Sequence, residues 1–577
     1  MKSIEKVIND LDWLRKNLIG RNILFDTPFG KRPLVYADYT ASGRGVKLIE
    51  DYIRQILPYY ANTHTEDDFT GKFMTDLLEK SQDRIKDLVN AGDKGKIIFA
   101  GSGTTGGVTR LLQILGIYWS PRLKKRIIRL LDSCKIRNNN RKLECHKALL
   151  NYIEDNKPLV YIGPYEHHSN ELIWRKSLCE VVRVPLTKEG EINLEFLEKH
   201  LKNRKNTKRM TIGSFSAASN VTGIKTPVYK LAKLLHKYNA LACFDFAASG
   251  PYVEIDMNHD EDSYFDAIFL SPHKFLGGPG ATGILLFNEK IYPYDLPPTV
   301  SGGGTVDFVN REEEHYTNNI EEREKPGTPG ILQAIKASLV FQLKDIIGLN
   351  NIEKIEQFYK NKFFSEFKNN EKIIIYGSLN PSKRVGIISF NIKHNDRYLH
   401  PKFITTLLND LFGIQSRAGC SCAGPYGHEL LGIDHKQSSK YYNMIVEKHL
   451  VGIKPGWTRI NLHYSFSIQE IDYMIKSIKF IIDHGYKLIP LYNFNFSTGE
   501  WKHINYKNEI SQISLEEMTK NNLNFKHSTG NIKQQASYYL QYAKQIAEEV
   551  EQKKYKKFSK EIEELMNFYV INPKRNK

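Results

Sequence analysis

Lys274 lies in a sequence context that suits covalent chemistry. It belongs to the run Asp266-Ala-Ile-Phe-Leu-Ser-Pro-His-Lys-Phe-Leu-Gly-Gly-Pro-Gly280, in which a strand-like apolar stretch ends in Ser-x-His-Lys and glycines follow. A lysine at the end of a buried strand loses hydration, which favours its neutral amine. Such an amine can form a Schiff base with an aldehyde cofactor. Because a lysine at a strand end is more often a surface charge, the prediction depends on further residues.

Asp245 is the first of these residues, and it closes the apolar run Leu241-Ala-Cys-Phe-Asp245. A buried carboxylate is costly unless a cation meets it. The protonated ring nitrogen of pyridoxal phosphate (PLP) is such a cation. An acidic partner keeps this nitrogen protonated, so that the ring can accept electrons from the reacting substrate. An aspartate followed by a lysine, each at a strand end, is similar to the order in fold-type I PLP enzymes. The pair is more specific than either residue.

A phosphate cradle is predicted in Ile97-Ile-Phe-Ala-Gly-Ser-Gly-Thr-Thr-Gly-Gly107, where a strand runs into a glycine-rich turn and a helix over 108–115. Backbone amides at a helix start, with the hydroxyls of Thr104 and Thr105, suit a dianion. The glycines also spell G-x-G-x-x-G, so a dinucleotide site is an alternative. That alternative requires an acidic residue after the next strand, whereas the chain continues with the basic run Ser120-Pro-Arg-Leu-Lys-Lys-Arg126.

His167 is the predicted aromatic neighbour of the cofactor, in Tyr161-Ile-Gly-Pro-Tyr-Glu-His-His-Ser-Asn170. An imidazole can stack on a pyridine ring and move protons. A solvated turn or an isolated metal site are the alternatives for paired histidines in a loop. The nearby Lys274 and Asp245 motifs favour the cofactor role.

Together these motifs resemble the class V aminotransferases, in particular the cysteine desulfurase and selenocysteine lyase group. The resemblance covers about residues 33 to 480, over three-quarters of the chain. The motifs that carry it are, in chain order, Glu166-His-His-Ser-Asn170, Ser219-Asn220, Asp245, Ser271-x-His273-Lys274, Gly302-Gly-Gly304 and Gly327-Thr-Pro329.

The resemblance implies an α/β fold of the fold-type I PLP transferases and a role for each matched residue. Lys274 would be the catalytic lysine, His167 would stack on PLP, and Asn220 would contact cofactor or substrate. Thr328 would reach the phosphate of the PLP in a neighbouring subunit of a homodimer. The residues that would hold the phosphate are Thr104, Thr105, Ser271 and His273.

Three further residues match the substrate side of the family's site. Arg459 matches an arginine that binds a substrate carboxylate, because a planar guanidinium can donate two parallel hydrogen bonds to a carboxylate. Cys422 falls where desulfurases carry the thiol that attacks the sulfur of bound cysteine, and Arg417 nearby would help stabilise a thiolate. Alternatively, Cys420 and Cys422 form a buried pair or half of a metal site. No second ligand pair has zinc spacing, so we predict no metal.

Some positions depart from the family pattern. Ala248 stands where the family commonly has Gln or His, and residues 36–44 are an altered form of its N-terminal Asp-x-Ala-Ala segment. Gly419-Cys-x-Cys422, Ala248 and Gly302-Gly-Gly-Thr-Val306 are similar to molybdenum cofactor sulfurases. The roughly 90 residues after Tyr486 are too few and too polar for the further domain of those proteins. The amino-acid substrate therefore stays open.

Composition is consistent with an intracellular enzyme. The chain has 577 residues, six cysteines and a net charge of +17. So few cysteines argue against a disulfide scaffold, and no stretch resembles a signal peptide or a membrane helix. We expect a cytoplasmic protein without membrane contact. The basic stretches at 118–157 and 553–557 could bind nucleic acid, but helical apolar spacing between the charges favours a solvated amphipathic helix.

The alternation of predicted elements indicates an α/β protein with a mostly parallel sheet and a smaller C-terminal α/β domain. We divide the chain into an N-terminal helical segment (1–32), a PLP-binding domain (33–345), a small domain (346–485) and a polar, largely helical extension (486–577). A long helix is expected over 331–363 and a strand and turn near 492–502. The predicted strands are 97–100, 158–162, 210–215, 241–245, 266–270 and 281–287.

The predicted function is a PLP-dependent conversion of L-cysteine to L-alanine, with the sulfur left as a persulfide on Cys422 for an acceptor protein. An aminotransferase, lyase or epimerase that does not use Cys422 is an alternative, and a binding protein on the same scaffold is a third. The amine of the amino acid would displace Lys274, and Arg459 would hold its carboxylate.

Overall fold

The computed structural model describes residues 4–63, 65, 67–133, 148, 152–153, 155–204, 209–506, 519 and 528–571. Its strands are β1 (Leu24–Thr27), β2 (Gly30–Pro33), β3 (Val35–Tyr36), β4 (Gly95–Phe99), β5 (Leu159–Ile162), β6 (Glu180–Arg183), β7 (Thr211–Ser216), β8 (Leu241–Asp245), β9 (Ala267–Leu270), β10 (Ile284–Asn288), β11 (Val306–Val309), β12 (Glu314–Tyr316), β13 (Ile373–Ile375), β14 (Ile387–His394), β15 (Arg397–Tyr398), β16 (Ile414–Gln415), β17 (Arg417–Gly419), β18 (Trp457–Asn461), β19 (Tyr492–Phe494) and β20 (Trp501–His503).

The α-helices of these residues follow the same order. They are α1 (Ile4–Asn9), α2 (Asp12–Asn17), α3 (Lys47–Ile56), α4 (Phe69–Leu88), α5 (Thr104–Ile114), α6 (Pro121–Ser133), α7 (Leu172–Lys176), α8 (Leu194–Arg204), α9 (Val228–Lys237), α10 (Ile320–Arg323), α11 (Ile331–Ile347), α12 (Leu349–Phe367), α13 (Pro401–Phe412), α14 (Gly424–Leu430), α15 (His435–Tyr442), α16 (Ile468–His484), α17 (Ile532–Glu549) and α18 (Lys560–Glu563).

The chain divides into two units, of which the large unit comprises Thr40–Glu353 and Lys383–Val385. Its centre is a seven-stranded sheet in the order β4-β10-β9-β8-β7-β5-β6. Strands β6, β5, β7, β8 and β9 pair in parallel, and β10 is antiparallel to both of its neighbours. Every residue of β5 and β9 is buried, as expected for strands covered on both faces. This sheet has the predicted, mostly parallel arrangement.

Helices of the large unit bury apolar side chains against this sheet and against one another. Val108 and Leu111 of α5 belong to a core cluster with Phe269 of β9 and Leu285 of β10. A second buried cluster joins α4 to α11 through Met74, Ile331 and Ile335. Removing such surface from water contributes about 25 cal/mol per Å², so these faces hold α5 and α11 in place.

The second unit, here called the terminal unit, comprises Met1–Tyr39, Lys354–Ser382 and Gly386–Lys577. Its main sheet has the order β13-β14-β18-β17, with β15 on β14, and all these pairs are antiparallel. The hairpin of β19 and β20 matches the strand and turn predicted near 492–502. In the described residues, no helix has the length and apolarity needed to cross a membrane.

These units differ from the four segments drawn from the sequence, chiefly at the N-terminus. Residues 1–39 cluster with the C-terminal half of the chain rather than forming a segment of their own. The buried side chain of Arg15 donates to the carbonyl oxygens of Ser465 at 3.0 Å and Phe466 at 2.9 Å. Thr27 Oγ1 likewise donates to the carbonyl of Asp410 at 2.8 Å. Such contacts between distant parts of the chain leave no local signal in a sequence.

Several helices also differ from their predicted form. The helix expected over 331–363 is two helices, α11 and α12, because Gly348 between them has φ +84°, outside helical geometry. The N-terminal segment expected to be helical (1–32) contains two short helices, α1 and α2, followed by strands β1 and β2. In the tail, α17 and α18 are joined by non-helical residues. Residues 121–130 of α6 are all exposed, and most of the insertion that follows it lies outside the described residues.

His400, just before α13, is a buried neutral group of the terminal unit. Its Nδ1 accepts from the backbone N–H of Lys402 at 3.1 Å, so Nε2 must donate to the carbonyl of Gly452, also at 3.1 Å. Burial lowers the pKa of His400 from 6.5 to about 3. A proton on Nδ1 would place a charge in a buried site and break the hydrogen bond from the Lys402 N–H, so protonation of folded His400 is unfavourable.

Acid should destabilise the protein partly through His400. Below pH 6.5 His400 binds a proton in the unfolded state but stays neutral in the folded state. The free energy of unfolding therefore decreases as pH falls, by about 1.4 kcal/mol per pH unit. The variant His400→Asn keeps a side-chain acceptor at the helix start, and its melting temperature should fall less than that of the wild type between pH 7 and pH 5. Thermal melts over this range measure the difference. The exposed His435→Gln should follow the wild type, and an equal acid slope in His400→Asn would contradict the assignment.

Candidate functional site

Asp245 is the buried acidic group at the carboxyl end of the large unit's sheet. It is 4% exposed, and its Oδ1 accepts from Thr104 Oγ1 at 2.9 Å and from the backbone N–H of Ala247 at 2.8 Å. Burial raises the pKa of Asp245, against the opposing effects of the Ala247 N–H, the Lys274 charge and the Thr104 hydroxyl. Three segments therefore meet at this carboxylate: the start of α5, the turn after β8 and the turn after β9.

The glycine-rich turn before α5 forms a small polar cradle. The backbone N–H of Thr104 donates to Ser271 Oγ at 3.0 Å, and the two hydroxyls lie 3.2 Å apart. A Cβ atom on Gly103 would lie 2.8 Å from Ser271 Oγ and 3.5 Å from His273 Nε2. The predicted phosphate residues Thr104, Ser271 and His273 are thus brought together, at a helix N-terminus that favours an anion.

His167 lies on the loop after β5, within a hydrogen-bonded group that reaches α5. Its Nδ1 accepts from the backbone N–H of Ser169 at 3.1 Å, which leaves Nε2 as the protonated nitrogen of a neutral ring. The Ser169 hydroxyl lies 2.7 Å from that of Thr105, so the predicted His167 and Thr105 share one neighbour. Ser169 was not singled out by the sequence, although it belongs to the quoted Glu-His-His-Ser-Asn motif.

Glu166, next to His167, anchors this loop to the sheet. Its Oε1 accepts from the backbone N–H groups of Gly163 and Ser216, at 3.1 and 2.8 Å. Its Oε2 accepts from Ser216 Oγ at 2.6 Å and Asn170 Nδ2 at 2.7 Å. Burial raises the pKa of Glu166 to about 7, while the Ser216 and Asn170 donors oppose this rise. Because all four partners are donors, we assign the carboxylate form.

Lys274 lies half-buried in a single 3-10 turn, Pro272–Lys274, immediately after β9. Burial, with the adjacent Lys274 charge, lowers the pKa of His273 to about 4 and keeps its ring neutral. The His273 carbonyl accepts from Gly43 N–H at 2.8 Å and Ser42 Oγ at 3.1 Å. A Cβ on Gly43 would lie 1.8 Å from the Phe275 carbonyl oxygen, so only glycine fits there. Ser42 and Gly43, within the altered segment 36–44, had no predicted role.

Three further positions of the large unit lie at its loops. Asn220 is buried, at 6% exposure, in the turn after β7, and Ala248 is buried in the turn after Asp245. Thr328 is exposed beside Gly327, which has φ +69°.

Arg417 and Arg459 lie opposite each other on the antiparallel strands β17 and β18 of the terminal unit. Asp38 bridges them: Oδ2 accepts from Arg417 Nε at 2.8 Å and Oδ1 from an Arg459 Nη atom at 3.0 Å. Arg459 is 4% exposed, and burial lowers its pKa while Asp38 opposes the change. Arg417 stays about half-exposed. The sequence marked the segment around Asp38 as altered but did not predict this contact.

Cys422 follows β17 on a tight turn. Ser421 and Cys422 have φ +53° and +55°, an uncommon left-handed conformation for side-chain-bearing residues. Trp457 Nε1 donates to Ser421 Oγ at 3.1 Å and so secures the turn to β18. Cys422 is exposed whereas Cys420 is half-buried. The turn follows strand β17, on which Arg417 lies opposite Arg459 of β18.

Known proteins resemble this chain in sequence. The model of the family described as Aminotransferase class-V matches residues 146–473, more than half of the chain. A protein of Halalkalibacterium halodurans named a probable cysteine desulfurase is 27% identical over 410 residues, 70% of this chain and 87% of that protein. A protein of Pyrococcus abyssi with the same name is 26% identical over 412 residues, 70% of this chain and 89% of that protein.

Solved structures resemble the fold. A cysteine desulfurase from Thermococcus onnurineus has a TM-score of 0.62 and 23% identity, covering 82% of this chain and 98% of that one. A cysteine desulfurase from Escherichia coli has a TM-score of 0.57 and 17% identity, covering 78% of this chain and 94% of that one. These likenesses, with the mostly parallel sheet, confirm the predicted α/β fold.

The cradle before α5 makes a prediction for Gly103. In Gly103→Ala the added methyl would occupy the space between Ser271 Oγ and His273 Nε2, so affinity for PLP should fall about tenfold or more. Equilibrium binding of PLP to the apoprotein, followed by absorbance, measures the loss. Gln113→Ala, on the same helix but away from its first turn, should bind as the wild type does. Unchanged binding by Gly103→Ala, with an unchanged melting temperature, would contradict a phosphate site here.

Proposed function

Because this chain belongs to the aminotransferase class-V family, we propose that it is a PLP-dependent cysteine desulfurase that converts L-cysteine to L-alanine. The observation that carries the proposal is Cys422, an exposed thiol on the turn after β17, the strand that holds Arg417 opposite the buried Arg459. The names of the relatives from H. halodurans and P. abyssi support it. The sulfur would remain as a persulfide on Cys422.

The residues around Asp245 fit the proposed cofactor. Bound PLP supplies an aldehyde that condenses with amines and a ring that accepts electrons. The Gly103–Thr104 cradle, with Thr105, Ser271 and His273, would hold the phosphate. Asp245 is a buried carboxylate whose burial outweighs its two neutral donors and the Lys274 charge, so it would face the protonated ring nitrogen.

His167 and Lys274 are proposed to act at the reacting end of the cofactor. Lys274 would hold the cofactor covalently and then, once displaced by the substrate amine, exchange protons as a neutral amine. His167 would stack on the ring, with its orientation fixed by Ser169 and by the neighbouring Glu166. Nε2 would carry the proton that is transferred, since Nδ1 accepts from the Ser169 N–H. Asn220 would contact cofactor or substrate by the family likeness.

On the substrate side, Arg459 would bind the carboxylate of L-cysteine, with Arg417 as a second cation. The Cys422 thiolate then attacks the substrate sulfur, forming an S–S bond as the substrate carbon–sulfur bond breaks. The bond electrons stay with the carbon, which is protonated to give L-alanine. The net change is L-cysteine plus a thiol giving L-alanine plus a persulfide, with no oxidant required.

Other features of the protein remain proposals of the same kind. A homodimer, in which Thr328 contacts the phosphate bound by the neighbouring subunit, is supported only by the family likeness and is tested by solution mass measurement. A sulfur-acceptor protein would discharge the Cys422 persulfide. A cytoplasmic location is consistent with cysteines 179, 243, 420 and 422, all free thiols among the described residues.

Cys422→Ala tests the proposed reaction. The variant should bind PLP as the wild type does but release alanine from L-cysteine at least about a hundredfold more slowly, because the sulfur has no acceptor thiol. Alanine and sulfide are quantified by mass spectrometry, and the persulfide is located by peptide mapping without reductant. Cys420→Ala, two residues away and half-buried, is the matched control and should stay active.

The alternatives give different results in the same assay. Full alanine release by Cys422→Ala would rule out its role as nucleophile and favour a lyase or another reaction of the family. If the wild type binds PLP but converts no cysteine, the substrate is another amino acid. If Lys274→Ala retained the whole function of the protein, a binding role on this scaffold would replace the enzyme.

A further inference from the structure

We propose that Asp38 sets the charge selectivity of the substrate site, restricting it to amino acids with a single carboxylate. The inference deepens the proposed function, since it rests on Arg459 as the group that binds the substrate carboxylate. The basis is the bridge that Asp38 forms between Arg459 and Arg417, with one carboxylate oxygen on each guanidinium.

The backbone holds Asp38 in this position. Ala37, the residue before it, donates its N–H to the carbonyl of Gln415 at 2.9 Å and accepts from the N–H of Asn461 at 2.8 Å. Gln415 lies just before β17, and Asn461 ends β18, so Ala37 is hydrogen-bonded to both chain segments that carry the arginines. Asp38 is 8% exposed, and its carboxylate is therefore a fixed part of the site rather than a mobile surface charge.

Asp38 also relieves a repulsion that the sheet creates. Residues directly opposite on antiparallel strands have adjacent side chains, and like charges in such a pair are destabilising. Arg417 and Arg459 are directly opposite. One carboxylate between two guanidinium groups reduces their combined charge from +2 to +1. This remaining charge matches one substrate carboxylate.

An acidic amino acid would fit this site less well. Its second anionic group would need the guanidinium of Arg417, which already donates to Asp38 through Nε. The second anion would also be repelled by the Asp38 carboxylate, whose side chain is only 11% exposed and so weakly screened by water. L-cysteine and L-alanine carry one carboxylate, whereas L-aspartate carries two.

Solvent reaches two members of this bridge, Asp38 and Arg417. Asp38 and Arg417 line a cleft of about 1310 Å³ in the terminal unit, together with residues of β1, α13 and β20. The same cleft contains Asp26, an exposed acidic residue of β1 that is not part of the bridge. Asp26 thus offers a control in which the same charge is removed from the same cleft without altering the bridge.

The test measures binding rather than turnover. The dissociation constants of L-alanine and L-aspartate are determined for the PLP-loaded protein from the change in the visible absorbance of the cofactor. In Asp38→Asn the preference for aspartate over alanine should rise about tenfold or more, because the arginine pair regains its +2 charge. In Asp26→Asn the preference should stay within about twofold of the wild type. The double variant Asp38→Asn, Arg417→Gln returns the charge to +1 and should restore the preference for alanine.

Each outcome bears on the inference. An unchanged preference in Asp38→Asn, or an equal change in Asp26→Asn, would overturn it. If Asp38→Asn does not fold, Arg417→Gln alone serves, since the half-exposed Arg417 tolerates replacement. It lowers the charge to zero and should weaken aspartate binding about tenfold more than alanine binding, and equal weakening would again overturn the inference.

The same titration separates this inference from the proposed function. If the wild type binds alanine but releases no sulfide from cysteine, the protein is not a desulfurase. The preference of Asp38→Asn for aspartate over alanine still tests the role of Asp38 in that case. A wild type that binds no amino acid contradicts both.

Discussion

A carboxylate buried at the end of a strand is the constraint on which the large unit depends. Asp245 ends β8 inside the sheet, where a charge without partners would be expensive. The hydroxyl of Thr104 and the N–H of Ala247 donate hydrogen bonds to it, and the charge of Lys274 offsets part of the cost of its burial. Because these groups belong to the start of α5 and to two different turns, satisfying one carboxylate fixes the relative positions of three loops.

The turn that carries Lys274 depends on a second constraint, close packing of backbone on backbone. Gly43 donates to the His273 carbonyl and leaves no room for a side chain against Phe275. Gly277 N–H donates in turn to the Arg44 carbonyl at 2.7 Å. Residues 42–44 are therefore hydrogen-bonded to the chain on both sides of Lys274. Contacts of residues 42–44 thus position the turn that carries Lys274.

Local patterns predicted much of this architecture. The strands around β5, β7, β8, β9 and β10 are apolar runs, and their ends carried Asp245 and Lys274 as expected. Strand β6 was missed because Glu180–Arg183 is only half-buried and ends in charges. The break at Gly348 was missed because a glycine within an apolar helical pattern is often tolerated. The bridge of Asp38 to Arg417 and Arg459 joins residues 379 and 421 positions apart, which no periodicity reports.

The two carboxylates also differ in what they leave unsatisfied. Around Asp245, burial outweighs its neutral donors and the Lys274 charge, so its pKa is raised and a further cation would be stabilised there. Around Asp38, two guanidinium groups face one carboxylate, so a further anion would be stabilised instead. The surroundings of Asp245 thus favour a cation, and the surroundings of Asp38 favour an anion. In the proposed function, the cation is the ring nitrogen of the cofactor and the anion is the carboxylate of the amino acid. Each preference follows from the charged groups around one buried aspartate.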